Sequence, residues 1–373
     1  MKMEKLNNHA FVTKLAGFEH SEYIQKNETK NKISDNDIPL VQGKNIRGGK
    51  FVEKYDWYIS KKISDSLPRS QLKKEAILIP YVGSNLGEVG IFYHPYDCHL
   101  ASNIAKIELN DKHFDIEYLK YYLQSPIGQS YLFQSKQGSA QPNITMESIR
   151  NTLIIDKNVD IQRCIANFLK LFVTKINNNI EIIDLYYKQL NYIYSYYAGN
   201  NSDITTKRFA DLGKITTGKE DANFAVNDGK YKFFTCAQSV SKCNEYKFDF
   251  SAILIAGNGD FNVKHYTGKF NAYQRTYVIE PINKKYYGIM YIAAKYMIDR
   301  FKVSSNGSIV KFITIDDINN IPVKIPSPEI LDIINDIMYQ IEIIDLENEH
   351  LSKLKNIFLP MLYNGQVKLN EVE

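Results

Sequence analysis

The sequence is short of most features that mark an enzyme, a secreted scaffold or a membrane protein. Four of its 373 residues are cysteine, Cys98, Cys164, Cys236 and Cys243. No two have the CxxC spacing of a zinc ribbon or a redox dithiol, and so few thiols fit a reducing compartment. No run approaches the ~18 apolar residues of a membrane-spanning helix, and the N-terminus lacks the apolar core of a signal peptide. A cytoplasmic protein with no membrane association is expected. Excess charge is also missing: 46 basic against 42 acidic residues leave +4. A histone-like polycation is excluded, but a local basic face is not. One tryptophan stands against 27 tyrosines and 19 phenylalanines, so the aromatic surface on offer is largely amphipathic.

Catalytic signatures are missing as well. Residues 213–220, GKITTGKE, approach a phosphate-binding loop, but Glu220 stands where a magnesium-binding hydroxyl belongs, and a carboxylate facing phosphates is repulsive. There is no GxGxxG, no Asn/Asp-Pro-Pro-aromatic stretch for a target amine, and no Pro-Asp to open a common nuclease core. The seven histidines form no HxH, HExxH or HxxxH pair. His94 and His99 read as surface residues rather than metal ligands. No metal and no cofactor is expected, and the pattern favours binding over catalysis.

What is present is a repeat. IEIIDL occurs at residues 180–185 and again at 341–346, 161 residues later. Upstream, Gly138-Ser139 with ITMESI at 144–149 returns as Gly307-Ser308 with ITIDDI at 313–318, an offset of 169. Further upstream, Ile77-Leu78-Ile79 and the glycine loop to Gly90 return as Ile253-Leu254-Ile255 with Gly257-Asn258-Gly259, an offset of 176. Ordered matches with shrinking offsets indicate duplication with loop deletions. Each half opens with short apolar runs, 76–80 and 103–109 in the first, 252–256 and 276–279 in the second, which read as strands. Short helices are expected near 115–123 and 287–299, and an Ile-Thr strand before each closing helix.

A long amphipathic helix closes each half. Its stripe includes Ile165, Phe172, Ile176, Ile180, Ile183 and Leu190 in the first, and Ile333, Ile337, Ile341, Ile344, Leu351, Leu354 and Phe358 in the second. Steps of three and four make a coiled-coil seam. Gly199 reads as a stop for the first helix and Pro328 as the opening of the second. Each stripe runs about 50 Å at 1.5 Å per residue, so the two helices are expected to pack on each other, the alternative being that each packs on its own domain.

Charge is divided unevenly. Residues 1–155 carry +3 and 201–325 carry +6, while 326–373 carry −6. The globular regions therefore suit an anionic partner better than the last helix does. Gly-rich residues 41–51 offer Lys44, Arg47 and Lys50 for phosphates, with Gln42 and Asn45 able to read base edges. Residues 134–143 supply Gln137, Gln141 and Asn143, and residues 302–311 supply Ser304, Asn306 and Lys311. Further candidates on the glycine loops and nearby turns are Ser84, Asn85, Lys219, Asn258 and Arg275. For each, a solvated turn is the plain alternative.

Two variable regions each closed by a long helix, the repeated IEIIDL, FADLGKITTGK at 209–219, IPLVQGKNI at 38–46 and LPMLYNG at 359–365 resemble the specificity subunits of type I restriction–modification enzymes. The resemblance implies an α+β chain with two α/β target recognition domains in tandem, at 1–157 and 201–327. Each is followed by a spacer helix, at 158–200 and 328–373, and the helices pair as an antiparallel coiled coil with pseudo-twofold symmetry. It implies a non-catalytic DNA-reading subunit. Each domain would read half of a bipartite, asymmetric site in double-stranded DNA, and the coiled coil would set the spacing. Implied partners are two methyltransferase subunits that bind S-adenosylmethionine, joined by restriction subunits. A stand-alone nuclease or methyltransferase with an unrecognised active site is the alternative.

Overall fold

The structure, a computed structural model, describes residues 2–134, 144–200, 205–304 and 312–369. Contacts divide the chain into two compact units, one of Met1–Lys175 with Leu351–Glu373 and one of Ile176–His350. The division runs through the long helices rather than at their ends.

The first unit is closed by β1 (Met3–Lys5), which pairs with the strand at Leu153–Ile155. A four-stranded antiparallel sheet follows the order β2-β11-β8-β9, built from β2 (Ala10–Lys14), β8 (Ala76–Pro80), β9 (Gly90–Phe92) and β11 (Ile104–Leu109). A second sheet has the order β6-β3-β10-β7, with β3 (Ile38–Val41), β6 (Tyr58–Ile59), β7 (Gln71–Leu72) and β10 (Cys98–Leu100). Between β3 and β6 lies the hairpin of β4 (Ile46–Arg47) and β5 (Lys50–Phe51). The apolar run of β8 is buried on both faces because side chains alternate along a strand. Ile77 and Ile79 enter one core, Ala76 and Leu78 the other. The first core is capped by α1 (Ile116–Gln124) and α2 (Pro126–Leu132), then by α3 (Met146–Arg150), β12 (Leu153–Ile155) and the start of α4 (Val159–Asn200). Tyr363, from the far end of the chain, is fully buried here, and its hydroxyl donates to the Tyr118 carbonyl at 2.7 Å.

The second unit repeats this plan in continuous form. β13 (Thr205–Arg208) leads through α5 (Phe209–Leu212) to β14 (Gly213–Thr217). One six-stranded sheet runs β14-β19-β17-β18-β15-β16. It comprises β15 (Tyr231–Phe234), β16 (Ser241–Cys243), β17 (Phe248–Ala256), β18 (Val263–Ala272) and β19 (Thr276–Pro281). Ile253 and Ile255 face one core while Ala252 and Leu254 face the other, as their counterparts do in β8. After α6 (Tyr287–Ser304), α7 (Ile315–Asn319) leads to β20 (Pro322–Ile325), which pairs with β13, and then to α8 (Pro328–Tyr363).

Several sequence expectations change. The Ile-Thr segments are not strands: Thr145 and Thr314 are helix N-caps, accepting the Ser148 and Asp317 amides at 3.0 and 3.2 Å. A threonine hydroxyl satisfies an orphan amide of a first turn, and this competes with its β preference. Gly199 does not stop α4, which runs to Asn200. His99 is fully buried on β10, not at the surface, its Nδ1 bonded to the Leu100 carbonyl at 2.9 Å.

The long helices enter both cores. In the first unit Ile165 and Leu169 of α4 are buried with Leu359 and Leu362 of α8, and the Phe168 and Phe172 rings stand 5.5 and 6.2 Å from Phe358. In the second unit Leu190 of α4 is buried with Leu331, Ile334, Ile337, Met338 and Ile341 of α8. There Asn179 is buried, its amide donating to Glu347 at 2.7 Å and to Asn348 at 2.9 Å. Phe172, Ile176, Ile183, Ile344, Leu351 and Phe358 are half-buried. Ile180, Ile333 and Leu354, assigned to the stripe, are exposed. The apolar neighbours Ile333 and Ile334 leave the helix rotation ambiguous in sequence, and packing selects Ile334.

Candidate nucleic-acid interface

Loop geometry in the first unit sorts the sequence candidates into two kinds. Gly48 and Gly49, at φ +61° and +73°, form the tight turn of the β4–β5 hairpin, a backbone that favours glycine at both places. Arg47 and Lys50 flank it as a cross-strand pair, both exposed. Asn45 is buried, and its side chain is consumed internally. It accepts the Gln42 amide at 2.8 Å and donates to the Val52 and Lys54 carbonyls, each at 2.8 Å. Asn85 likewise staples the loop, donating to the Gly43 and Ile46 carbonyls at 3.0 Å. Neither amide is available to read bases, because unsatisfied loop carbonyls have claimed them. Lys44 is paired with Asp56. Arg47, Lys50, the half-buried Gln42 and Ser84 remain at the surface.

In the second unit Asn258 and Arg275 come together on the rim of a groove of about 470 Å³. Gln274, Tyr277, Phe312 and Thr217 line the same groove. Phe312 is 63% exposed, which makes it an aromatic face open to a partner. Gly257 sits where a side chain would meet the Arg275 carbonyl at 2.8 Å. Lys219 is exposed just beyond β14. Residues 213–217, the front of the apparent phosphate loop, are strand β14. Gln137, Gln141, Asn143, Asn306 and Lys311 lie outside the described residues, as does the side chain of Ser304.

The first unit has a groove in the equivalent place, of about 550 Å³. The equivalence rests on two pairs of backbone bonds. The Ile144 amide donates to the Tyr81 carbonyl at 3.2 Å, as Ile313 does to Gly257 at 2.8 Å. The Tyr81 amide donates to Asn103 at 3.0 Å, as Gly257 does to Arg275 at 2.9 Å. This groove is lined by Lys14, Arg69, Tyr81, Thr145 and Arg150, none of which is among the sequence candidates for DNA contact. Their one signal was position: Thr145 belongs to the repeated ITMESI, and Tyr81 follows the repeated Ile-Leu-Ile run.

A polar node also joins elements of the second unit. His265 on β18 meets the Tyr187 hydroxyl of α4 at 2.9 Å and Glu342 of α8 at 3.3 Å. Glu342 accepts from Tyr287 at 2.8 Å and from Thr267 at 3.1 Å. Burial alone would raise the Glu342 carboxyl, but the His265, Tyr287 and Thr267 bonds hold it below the usual carboxylate range. Cys98 offers no nucleophile at neutral pH, since burial pushes its thiol up to about 12.

Comparison with known proteins fits this duplicated plan. Residues 14–184 and 201–356 each match the family described as Type I restriction modification DNA specificity domain. Over 126 residues, 34% of the chain, it is 52% identical to the Type I restriction enzyme EcoDI specificity subunit of Escherichia coli. Over 117 residues, 31% of the chain, it is 27% identical to the EcoBI specificity subunit of the same organism. These matches span 28% and 24% of the two relatives, about a quarter of their length. The crystal structure of a Type-I restriction-modification system S subunit from M. genitalium superposes with a TM-score of 0.57. That similarity covers 100% of this chain and 96% of the other at 15% identity, a likeness of fold. With two stretches matched in tandem over most of its length, the chain belongs to the type I restriction modification DNA specificity domain family and carries that domain twice.

Proposed function

We propose that the protein is the DNA-specificity subunit of a type I restriction–modification complex, each unit reading one half of a bipartite, asymmetric site. The observation that carries this reading is the pair of matched domains with a solvent-open groove at the same place in each. Two readers on one chain suit two half-sites on one duplex, as paired readers do in dimeric DNA-binding proteins.

The recognition domains are proposed as 1–157 and 201–327 and the spacer helices as 158–200 and 328–373, the helices pairing as an antiparallel coiled coil that sets the spacing. Support comes from each unit separately, where the start of α4 meets the end of α8 at Phe358, and the buried Asn179 meets Glu347 and Asn348. A buried amide in such a seam pins register. The 42 residues of α4 span about 63 Å, which covers roughly eighteen base pairs at ~3.4 Å each. Exposed apolar residues on the helices, Leu171, Leu185, Tyr339, Leu346 and Ile357, suit docking of two methyltransferase subunits that carry S-adenosylmethionine, with restriction subunits joining them. The chain itself is assigned no catalytic step. Among the described residues no helix is long and apolar enough to cross a membrane, and a cytoplasmic setting is proposed with the complex.

Methylome sequencing of the host with and without the gene tests the reading. A bipartite methylated motif should disappear with the gene. An unchanged methylome, or DNA methylation by the purified chain alone, overturns it.

A further inference from the structure

We propose that the groove of the first unit is a seat for a phosphate of the DNA backbone, held by Lys14, Arg69 and Arg150. This rests on the DNA-reading function above and adds where the first unit grips the duplex and by what chemistry. Three cations line one groove, and none of its described lining residues is a carboxylate. Arg69 is exposed, and among the described residues its side chain makes no hydrogen bond or ion pair, so its charge faces solvent uncompensated. The Lys14 ammonium lies 4.7 Å from the Tyr81 ring centroid, a contact that orients the cation without neutralising it. Arg150 is pre-set: one Nη donates to the Val12 carbonyl at 3.0 Å, which fixes the guanidinium and leaves its other donors for a ligand.

The backbone around these side chains is held as firmly. Thr145 caps α3 and Ile144 is bonded to Tyr81, so the groove is assembled before any ligand arrives. A cluster of guanidinium and ammonium donors with no acid among the described lining residues matches the charge and donor needs of a phosphate. The equivalent groove of the second unit argues that this chemistry is local and not a by-product of the fold. With the same backbone bonds, its described lining carries one cation, Arg275, among Asn258, Gln274, Tyr277 and Phe312. Amides and aromatic faces are the materials of base contact, whereas clustered cations are those of backbone contact.

The test uses the chain assembled with its methyltransferase subunits, a duplex bearing the motif that the host methylome assigns to it, and a scrambled duplex of equal length. Affinity is measured across a salt series for wild type, Arg69→Gln, Lys14→Gln and the double variant Arg69→Gln/Arg150→Gln. Each lost cation should weaken binding about tenfold. It should also flatten the slope of log affinity against log salt by roughly 0.9. Both duplexes should be affected alike, with the methylated motif unchanged in cells. The exposed Arg69 side chain makes no hydrogen bond or ion pair among the described residues, so Arg69→Gln should keep its melting temperature and separate loss of grip from loss of structure.

An unchanged slope in all three variants overturns the phosphate seat. So does an altered first half of the motif, which would make the groove a base reader. Those outcomes presuppose a wild-type complex that prefers its motif over the scrambled duplex; a wild type with no preference defeats the DNA-reading function itself.

Discussion

The two units use one topology at two levels of continuity. In the second, β17 and β18 pair unbroken over eight positions, from Phe248↔Phe270 to Ile255↔Val263. In the first, the same course is cut into β7 and β8 on one side and β9 and β10 on the other, so one sheet becomes two. The break in the latter falls at residues 93–97, where His94 takes φ +54° and Pro95 cannot donate to a ladder. The parallel pairing of β10 with β3 survives the cut, as β18 with β15 does in the uncut form. The difference teaches that the inner frame, β2-β11-β8 against β14-β19-β17, is what duplication preserved. The outer strands and loops are free to change, and those are the parts proposed to meet DNA.

The largest effect is expected at Tyr363. It is fully buried, with its ring 4.9 and 5.2 Å from those of Tyr118 and Tyr122. Tyr363→Ala should cost about 3–5 kcal/mol, and hydrogen exchange should show the loss in Met1–Lys175. Equal loss of protection across Ile176–His350 would show that the units do not unfold separately. Next come Ile79→Ala and Ile255→Ala, both buried at matching positions facing matching cores. Each should cost about 2–5 kcal/mol in its own unit. Melting data that spare either one would contradict the structural equivalence of β8 and β17.

Smaller effects sharpen it. Removing the caps by Thr145→Ala and by Thr314→Ala should each cost about 1 kcal/mol, measured by denaturant titration. A null result at either site would return that segment to an uncapped turn. The smallest effect is in pH. The folded-state carboxyl of Glu342 is depressed below 4.5. Its contribution is therefore fully present above about pH 4.5 and is lost as pH falls through the lower folded value. Glu342→Gln should flatten that part of the acid profile of the second unit. An acid limb identical to wild type would show that the His265 node is not coupled to folding.

Much of the frame could be read without coordinates. The run at 76–80 coincides with β8, and Pro328 opens α8. The runs at 252–256 and 276–279 lie within β17 and β19. Apolar runs and prolines report local constraints, and those hold in any tertiary setting. The candidate interface was less legible. Asn45 reads as a base reader and Asn85 as a DNA contact in sequence because an amide in a glycine-rich loop suits a partner and a turn carbonyl equally well. Lys14, Arg69 and Arg150 carry no sequence signal because they lie far apart along the chain. No local pattern links side chains that only a folded sheet and a capped helix bring to one groove.

Composition and repetition by themselves determined that this is a duplicated chain, each half a strand-rich region closed by a long helix, with no recognisable catalytic signature. Hydrophobic periodicity and self-similarity are written along the chain, so reading them needs no distances. The fold decided the rest: that each long helix contributes to both cores, that Ile334 and not Ile333 turns inward, and that, among the described residues, one groove is lined by three cations while its counterpart is lined by aromatics and amides with one. Those outcomes depend on helix rotation and on which distant side chains are left unpaired after the cores have formed, and packing settles both only once the whole chain is in place.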